Sequence, residues 1–569
     1  MWKPMLPTLM DEPPTDEDWI YEIKYDGFRC GLEWNESGVK LWSRNGNDLS
    51  RQFPEILDWC TENRDHFKTF FPLHLDGEIV ILNTPLQSNF SQVQQRGRMK
   101  SVGKIKSAAI SRPSTLMVFD LVMKNGKSLK SFKYHKRRAA LEEMPWESRL
   151  KLVDTYEHYD EAFDKVFLHQ GEGVVAKKIT NKYVEGKRTD QWIKIKNWRT
   201  ISGIITSWNL ENDYFGMSIY NDKQLIDLGK IKHGFSDEEK NTLTQLIRKH
   251  GENIGSSWKV SPSICVDVHC LHAHEGELRE PVFKSFRHDL VAKDCTMEQV
   301  KTGLAMLPKN VELSNQDKLI FDQYTKKDLI FYLRKIAPLL LPKIKDKRLT
   351  MIRFPDGVDA HSFYQKHLPD YAPDYIQSIG EDLLCQDLQS LIWFGNQAGV
   401  EYHVPFQTIH SSKPDEMVFD LDPPSLNEFN LAIKAAHLIK QMCEHHGYKV
   451  YAKTSGRTGL QLHVPIEDMT FAETRTFMEA VANVLTQKYP DSFTTERLIK
   501  NRGKRLYIDY VQHAEGKTII APYSPRGTKE ATVATPLFWE EVKEGLDPRQ
   551  FTIGNVVKRM EEKGCPWVI

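Results

Sequence analysis

The 569-residue sequence predicts a multidomain α+β protein, and three observations predict it. A chain this long exceeds what one hydrophobic core can hold, and at ordinary domain sizes it divides into roughly three to four compact units. Short strands mixed with helical stretches over residues 20–200 give way to a strand-rich stretch over 201–290, and the mixed pattern returns after about 315. The composition, 40% hydrophobic, 27% charged and 11% aromatic, is that of a globular chain and not of a disordered or fibrous one.

In chain order, residues 1–200 form the first unit, with strands at "LHLDGEIVIL", "TLMVFDLVM", "GVVAKKI" and "QWIKIK" and a helix at "FKYHKRRAALEEM". Residues 201–292 carry "ISGIITSWN", "YFGMSIYN", "QLIDLGKIKHG" and "SICVDVHCLHAH" around one helix near "SDEEKNTLTQLIRKHG", the pattern of a small barrel. Residues 293–314 show no strong period and read as a linker. Residues 315–569 form a second α/β unit. It opens on "KKDLIFYLRKIAPLLLPKI", a helix with apolar residues at spacings of three and four, closed by Pro342. Strands follow at "EMVFDLDPP", "KVYAKTSG", "LQLHVPI" and "RLYIDYVQH".

No apolar run reaches bilayer length, and "MWKPMLPTLMDEPP" lacks the parts of a secretory leader, so the expectation is a cytoplasmic protein with no membrane partner. Eight scattered cysteines lack the spacing of a disulfide framework. Cys270, His272 and His274 lie close together, but their strict alternation predicts a strand presenting them on its exposed face, with no second ligand pair at zinc spacing. The formal net charge is zero, so charge gives no support for a nucleic-acid partner, and the basic run 177–188 reads equally as a solvated loop or a binding face.

The charges in the first unit fall in places that a purely structural strand does not need. Lys24, Asp26 and Arg29 gather in "KYDGFR"; Asp76 and Glu78 flank Gly77; Glu172 stands at "EGVVAK"; Lys194 and Lys196 share one face of "WIKIK". Charges on the inner faces of apolar strands require partners or a ligand. Neighbouring cations, Lys194, Lys196 and a metal ion, would lower the pKa of Lys24 and make it a nucleophile, and the same cations suit a phosphorus centre.

The series "KYDGFR", "SRNG" (43–46), "DGE" (76–78), "VFD" (118–120), "EGVVAKK" (172–178) and "WIKIK" (192–196), in this order, resembles the motifs of ATP-dependent DNA ligases. The resemblance implies a nucleotidyltransferase, ATP-grasp-like ligase domain followed by an OB-fold barrel. It also implies that Lys24 takes AMP from ATP as a phosphoramide, Glu78 binds the ribose, Phe119 stacks on adenine and Glu172 helps hold the metal. Lys194 and Lys196 would meet the α-phosphate, Arg44 the 5′-phosphate at a nick, and Glu22, Arg29 and Arg287 would complete the nucleotide site. The family's barrel ends in an Arg-x-Asp-Lys motif; here "FRHDL" keeps Arg287 and Asp289 and puts Leu290 in the lysine's place.

In "VFDLDPP", Asp420 and Asp422 share one face of a strand, and Asp509 ends another apolar strand in "RLYIDY". Carboxylates so close repel unless a cation lies between them, which points to a magnesium or manganese site suited to phosphoryl transfer. The turn "KTSGRTG" (453–459) offers backbone N–H groups to an anion but lacks the Gly-Lys-Ser/Thr of a P-loop. With "RFPDG", "FYQKH", "EYHVP" and "APYSPR", this half resembles the primase-like α/β polymerase domain of bacterial ligase D. The resemblance implies metal binding by Asp420, Asp422 and Asp509, with Lys366, His403, Ser455, Arg502 and Arg526 near the incoming nucleotide. The family usually has histidine where this chain has Gln461; His463 lies two residues on.

Ligase first and polymerase last matches the two-domain type of this family. It implies a bifunctional repair enzyme that extends ends or fills gaps in broken double-stranded DNA with (ribo)nucleotides and then seals nicks with ATP. It also implies a Ku homodimer partner and association with the nucleoid. Two rival readings are an RNA-capping or RNA-ligase type of nucleotidyltransferase, and a ligase whose C-terminal half only bridges ends.

Overall fold

Trp19–Lys24 (β1) reads WIYEIK, and its alternation turns Trp19, Tyr21 and Ile23 into an apolar core and Glu22 and Lys24 to the opposite face. In the computed structural model, which describes residues 2–274 and 277–567, the chain divides into two units, Met1–Met306 and Leu307–Ile569. The mixed α+β architecture expected from the sequence is present in both.

The first unit has two sheets around its lysine. β1 pairs with Gly173–Lys178 (β5), which pairs with Arg188–Lys196 (β6). In the second sheet, Phe28–Asn35 (β2) pairs with Leu73–Val80 (β3), and β3 with Thr115–Lys124 (β4). Val174 and Ala176 of β5 join Tyr21 and Ile23 in the core, so Gly173, Val175 and Lys177 share the face that carries Lys24.

The barrel follows: Arg199–Asn209 (β7), Phe215–Asn221 (β8), Gln224–Ile231 (β9), Ser257–Cys270 (β10) and Val282–Phe286 (β13) pair in the order β9-β8-β7-β10-β13. Phe283 N donates to the carbonyl of His233, just past β9, which joins the two ends of the sheet. Asp237–His250 (α1) starts on a reciprocal Ser236/Glu239 cap and buries Leu243 and Ile247. A hairpin, His272–His274 (β11) and Glu277–Arg279 (β12), interrupts the barrel between β10 and β13.

Two expectations need correction here. Residues 293–314 contain helix Met297–Ala305 (α2), whose Val300 enters the barrel core; an apolar stripe this short gives too weak a period to read in isolation. Cys270 is wholly buried in that core and not on an exposed face, because it is the last residue of β10 to face inward. His272 lies on the hairpin, and the side chain of His274 is outside the described residues.

The second unit opens on Lys326–Ile344 (α3), capped reciprocally by Thr325 and Asp328. Pro342 does not close this helix: both Pro338 and Pro342 lie inside it, where burial of Leu339, Leu340 and Ile344 outweighs the lost backbone bonds. The central sheet has Glu416–Asp422 (β15) between Leu460–Pro465 (β17) and Leu506–Asp509 (β18), with Tyr451–Thr454 (β16) on the far side of β17. A smaller sheet contains Gly399–Val404 (β14). Among the described residues, no helix is long and apolar enough to cross a membrane.

Candidate active sites

In the first unit, Lys24, Gly173 and Lys196 lie directly opposite one another across β1, β5 and β6, and Glu22, Val175 and Lys194 form the next row. Gly173 is required there: a Cβ would lie 2.1 Å from the carbonyl oxygen of Ile195, and its φ of +156° is one that side chains rarely adopt. Lys24 Nζ donates to Glu172 Oε2 at 2.5 Å. Burial pulls this ammonium down, but Glu172, Glu78 and Asp26 together outweigh it and hold Lys24 above the ordinary lysine value. The sequence reading expected the opposite, a lysine depressed by Lys194 and Lys196; the carboxylates are nearer and the correction follows from them. Lys194 is the lysine that burial, with Lys196 and Lys24 beside it, does depress.

The second sheet supplies the facing wall. Arg29 and Glu78 are cross-strand partners, and Arg29 forks onto buried Asp76 with two bonds of 2.7 Å. The Arg29 guanidinium lies 4.3 Å over the Phe119 ring. Burial pushes the Glu78 carboxyl up to about 8, against the pull of Lys24 and Arg29. Glu22 is buried and pairs at 2.7 Å with Lys177, which also donates to the carbonyl of Phe119. Lys177 belongs to the run left undecided between loop and binding face; its parity with Gly173 and Val175 was the signal that places it in the pocket. Arg44 is exposed on the turn after strand Gly38–Ser43.

Arg287 is not brought to this pocket. Its guanidinium binds Asp267 and Asp289 within the barrel, while Leu290 packs on the barrel core. The β11–β12 hairpin supplies the contact instead: Arg279 grips Asp26 with bonds of 2.9 and 2.7 Å, and Glu280 pairs with Lys196. Glu280 thus sits as an anion on a lysine expected to meet a phosphate. Glu280→Gln should lower the ATP concentration that half-saturates adduct formation by roughly threefold to tenfold, checked by labelling at varied ATP.

In the second unit, Asp420 and Asp509 are directly opposite across β15 and β18, and Asp422 lies two residues along β15, opposite Tyr507. Burial, then Asp422 and Asp509, push the Asp420 carboxyl up to about 7, and burial and Asp509 likewise raise Asp422. Among the described residues no group of three or more His, Cys, Asp or Glu side chains already encloses a metal-sized site. The donor chemistry nonetheless fits a hard divalent ion: oxygen ligands only, with negative charge in excess.

Arg502 stacks 3.8 Å over Tyr507 and draws the Asp422 carboxyl down. His403 bonds Glu401 at 2.9 Å, and Glu401 also accepts from Arg457 and the Gly527 amide and pairs with Arg526. Burial would raise Glu401, yet His403, Arg526 and Gly527 bring it to about 2. Glu401 was missed; two residues before His403 on one strand, it shares that face. Ser455 turns its hydroxyl inward to accept from the amides of Arg457 and Gly459, so those two N–H groups are already used by the turn itself. Lys366 is exposed. His463 bonds Glu416 at 2.9 Å and lies against Trp567, so it does not take the place of Gln461 beside Asp420.

Residues 4–196 match the model of the ATP dependent DNA ligase domain, and residues 325–567 that of the LigD primase-polymerase domain. The bifunctional non-homologous end joining protein LigD of Bacillus subtilis is 40% identical over 99% of this chain and 96% of its own length. The multifunctional non-homologous end joining protein LigD of Pseudomonas aeruginosa is 24% identical over 99% of this chain and 72% of its own. Among solved structures, the polymerase domain from Mycobacterium tuberculosis ligase D in complex with DNA is 27% identical, with a TM-score of 0.43 over 45% of this chain and 96% of that one.

Proposed function

This chain belongs to the LigD family of bifunctional non-homologous end-joining proteins, and we propose from that membership how its two centres divide the repair of one break. The chain is an ATP-dependent DNA ligase joined to a primase-like polymerase. The C-terminal unit extends or fills an end with nucleotides, and the N-terminal unit then seals the remaining nick. The observation that carries the sealing half is the Lys24–Gly173–Lys196 row facing Arg29, Glu78 and Phe119.

In the sealing half, the neutral form of Lys24, its ammonium proton released to solvent, attacks the α-phosphorus of ATP through Nζ; the N–P bond forms, Nζ sheds a second proton to solvent, and the bond to the β-phosphate oxygen breaks, releasing pyrophosphate. The Phe119 ring and Glu78 hold base and ribose, while Lys194 and Lys196, once Glu280 has left, take the charge of the α-phosphate. The AMP then passes to the DNA 5′-phosphate near Arg44, and the 3′-hydroxyl displaces it. Glu172 with Glu78, and separately Asp420, Asp422 and Asp509, would each hold magnesium or manganese, which neutralises phosphate charge when bound. Arg502, Arg526, His403, Ser455 and Lys366 would serve the incoming nucleotide; the cluster around Glu401 supports this for His403 and Arg526. From family membership we also propose action at nicks, gaps and double-strand breaks, a Ku homodimer as partner, and residence in the cytoplasm on the nucleoid. The helix at 297–305 supports ending the barrel domain near Met306.

The test is covalent labelling. Adduct should form with labelled ATP and not GTP, which separates the ligase from a capping enzyme. Because its carboxylate neighbours hold Lys24 above the ordinary lysine value, its neutral fraction grows about tenfold per pH unit across this range. Single-turnover adduct formation should therefore rise from pH 6.5 to 8.5 by roughly a hundredfold. A plateau below pH 7 would show that Lys24 is not held by its carboxylates.

A further inference from the structure

The polymerase centre continues inward past its aspartates. Lys453, Gln461, Asp420 and Asp509 are successive cross-strand partners over β16, β17, β15 and β18. Residues directly opposite in an antiparallel ladder project from the same face, so these four side chains form one row. Burial is complete at Lys453 (0% exposed), nearly so at Gln461 (3%), and partial at the two aspartates.

The bonds run along the row. Lys453 Nζ donates to Gln461 Oε1, and Gln461 Nε2 donates to Asp420 Oδ1 at 3.1 Å. A glutamine amide can be turned either way, and its neighbours decide which. As an ammonium, Lys453 has only N–H donors to offer, so the amide oxygen faces Lys453 and the NH2 faces Asp420. Turned over, the amide would set its oxygen against a carboxylate already pressed by Asp422 and Asp509. A wholly buried amine needs a partner, and this one finds it in the residue that touches Asp420.

We propose that Lys453 is a positioning residue of the polymerase centre, acting through Gln461 to fix Asp420 for cation binding. Gln461 is thereby one half of a pair: it donates to Asp420 because Lys453 stands behind it. The inference rests on the reading that Asp420 is a cation ligand.

The test is a Mn2+ titration of the full chain by electron paramagnetic resonance without nucleotide, following the site that is lost in Asp420→Ala. Lys453→Met and Gln461→Leu, both close in volume to the residues replaced, should each weaken that site roughly tenfold, the usual scale for groups that orient a ligand. The double variant should be no weaker than either single one, since both cut the same chain of bonds. Thermal unfolding of each variant checks that the unit is folded, and Gln461→Leu carries the test if Lys453→Met is not. Losses that multiply, or a Mn2+ site unchanged in the folded variants, overturn the proposal. If Asp420→Ala removes no Mn2+ site from the wild-type pattern, the cation reading fails and takes the proposal with it.

Discussion

Lys24→Ala abolishes transfer of AMP to the protein, to below about one-thousandth of the wild-type rate, and leaves nucleotide addition by the same chain intact. The size of the loss follows from the chemistry: the step makes a bond to Nζ, and neither Lys194 nor Lys196 can substitute, because Lys196 is held by Glu280 and both lie on β6, two strands from β1. The loss should appear at once as missing label on the protein. A DNA substrate that already carries AMP on its 5′-phosphate would still be sealed, since that last step does not require the Lys24–phosphorus bond. Retained labelling in Lys24→Ala would place the nucleophile elsewhere.

Asp420→Ala does the reverse, lowering nucleotide addition about a hundredfold to a thousandfold while labelling of Lys24 continues. It also has a stability signature. The Asp420 carboxyl is raised from 3.8 to about 7 by burial and by Asp422 and Asp509, so the folded chain holds this proton more tightly than the unfolded one. Its contribution is full below the unfolded value and is lost as pH rises through about 7. Without divalent metal, the C-terminal unit should therefore unfold at a lower temperature at pH 8 than at pH 5, by more in the wild type than in Asp420→Ala. Added Mn2+ should narrow the wild-type difference by occupying the site. Equal pH dependence in the two proteins would show that these carboxylates do not strain the fold.

Much of both sites was legible because strands have a period of two. That period alone puts Glu22 with Lys24, Lys194 with Lys196 and Asp420 with Asp422, each on one face, and the structure keeps all three pairs. What the period does not give is which strands are neighbours. The Lys24–Gly173–Lys196 row depends on β5 lying between β1 and β6, and nothing local in the sequence states that order. The same gap hid the row from Lys453 to Asp509.

Sign and occupancy of charge were harder still. The notion of Lys24 as a depressed lysine counted the cations on β6 and overlooked that Glu172, adjacent to Gly173, reaches Nζ first. Arg279 and Glu280 escaped notice because their partners, Asp26 and Lys196, belong to another domain fold and are far away in sequence. Arg287 drew attention through its motif, yet Asp267 on β10, its neighbour in the barrel, holds it there. Lys177 lies in a basic run that reads equally as loop or binding face; its parity along β5 sets it on the face of Gly173 and Val175, and the pairing of β5 with β1 brings Glu22 to it.

The central claim is that one chain both fills and seals, from two separate centres. The most direct measurement gives the protein a 5′-phosphorylated duplex with a one-nucleotide gap opposite cytosine, with ATP and a divalent metal, with and without GTP. A full-length sealed strand that requires GTP, is lost in Asp420→Ala and accumulates as a filled but unsealed strand in Lys24→Ala is the predicted result. Sealing of a plain nick with no filling of the gap would contradict it and leave the C-terminal unit as a scaffold that bridges ends.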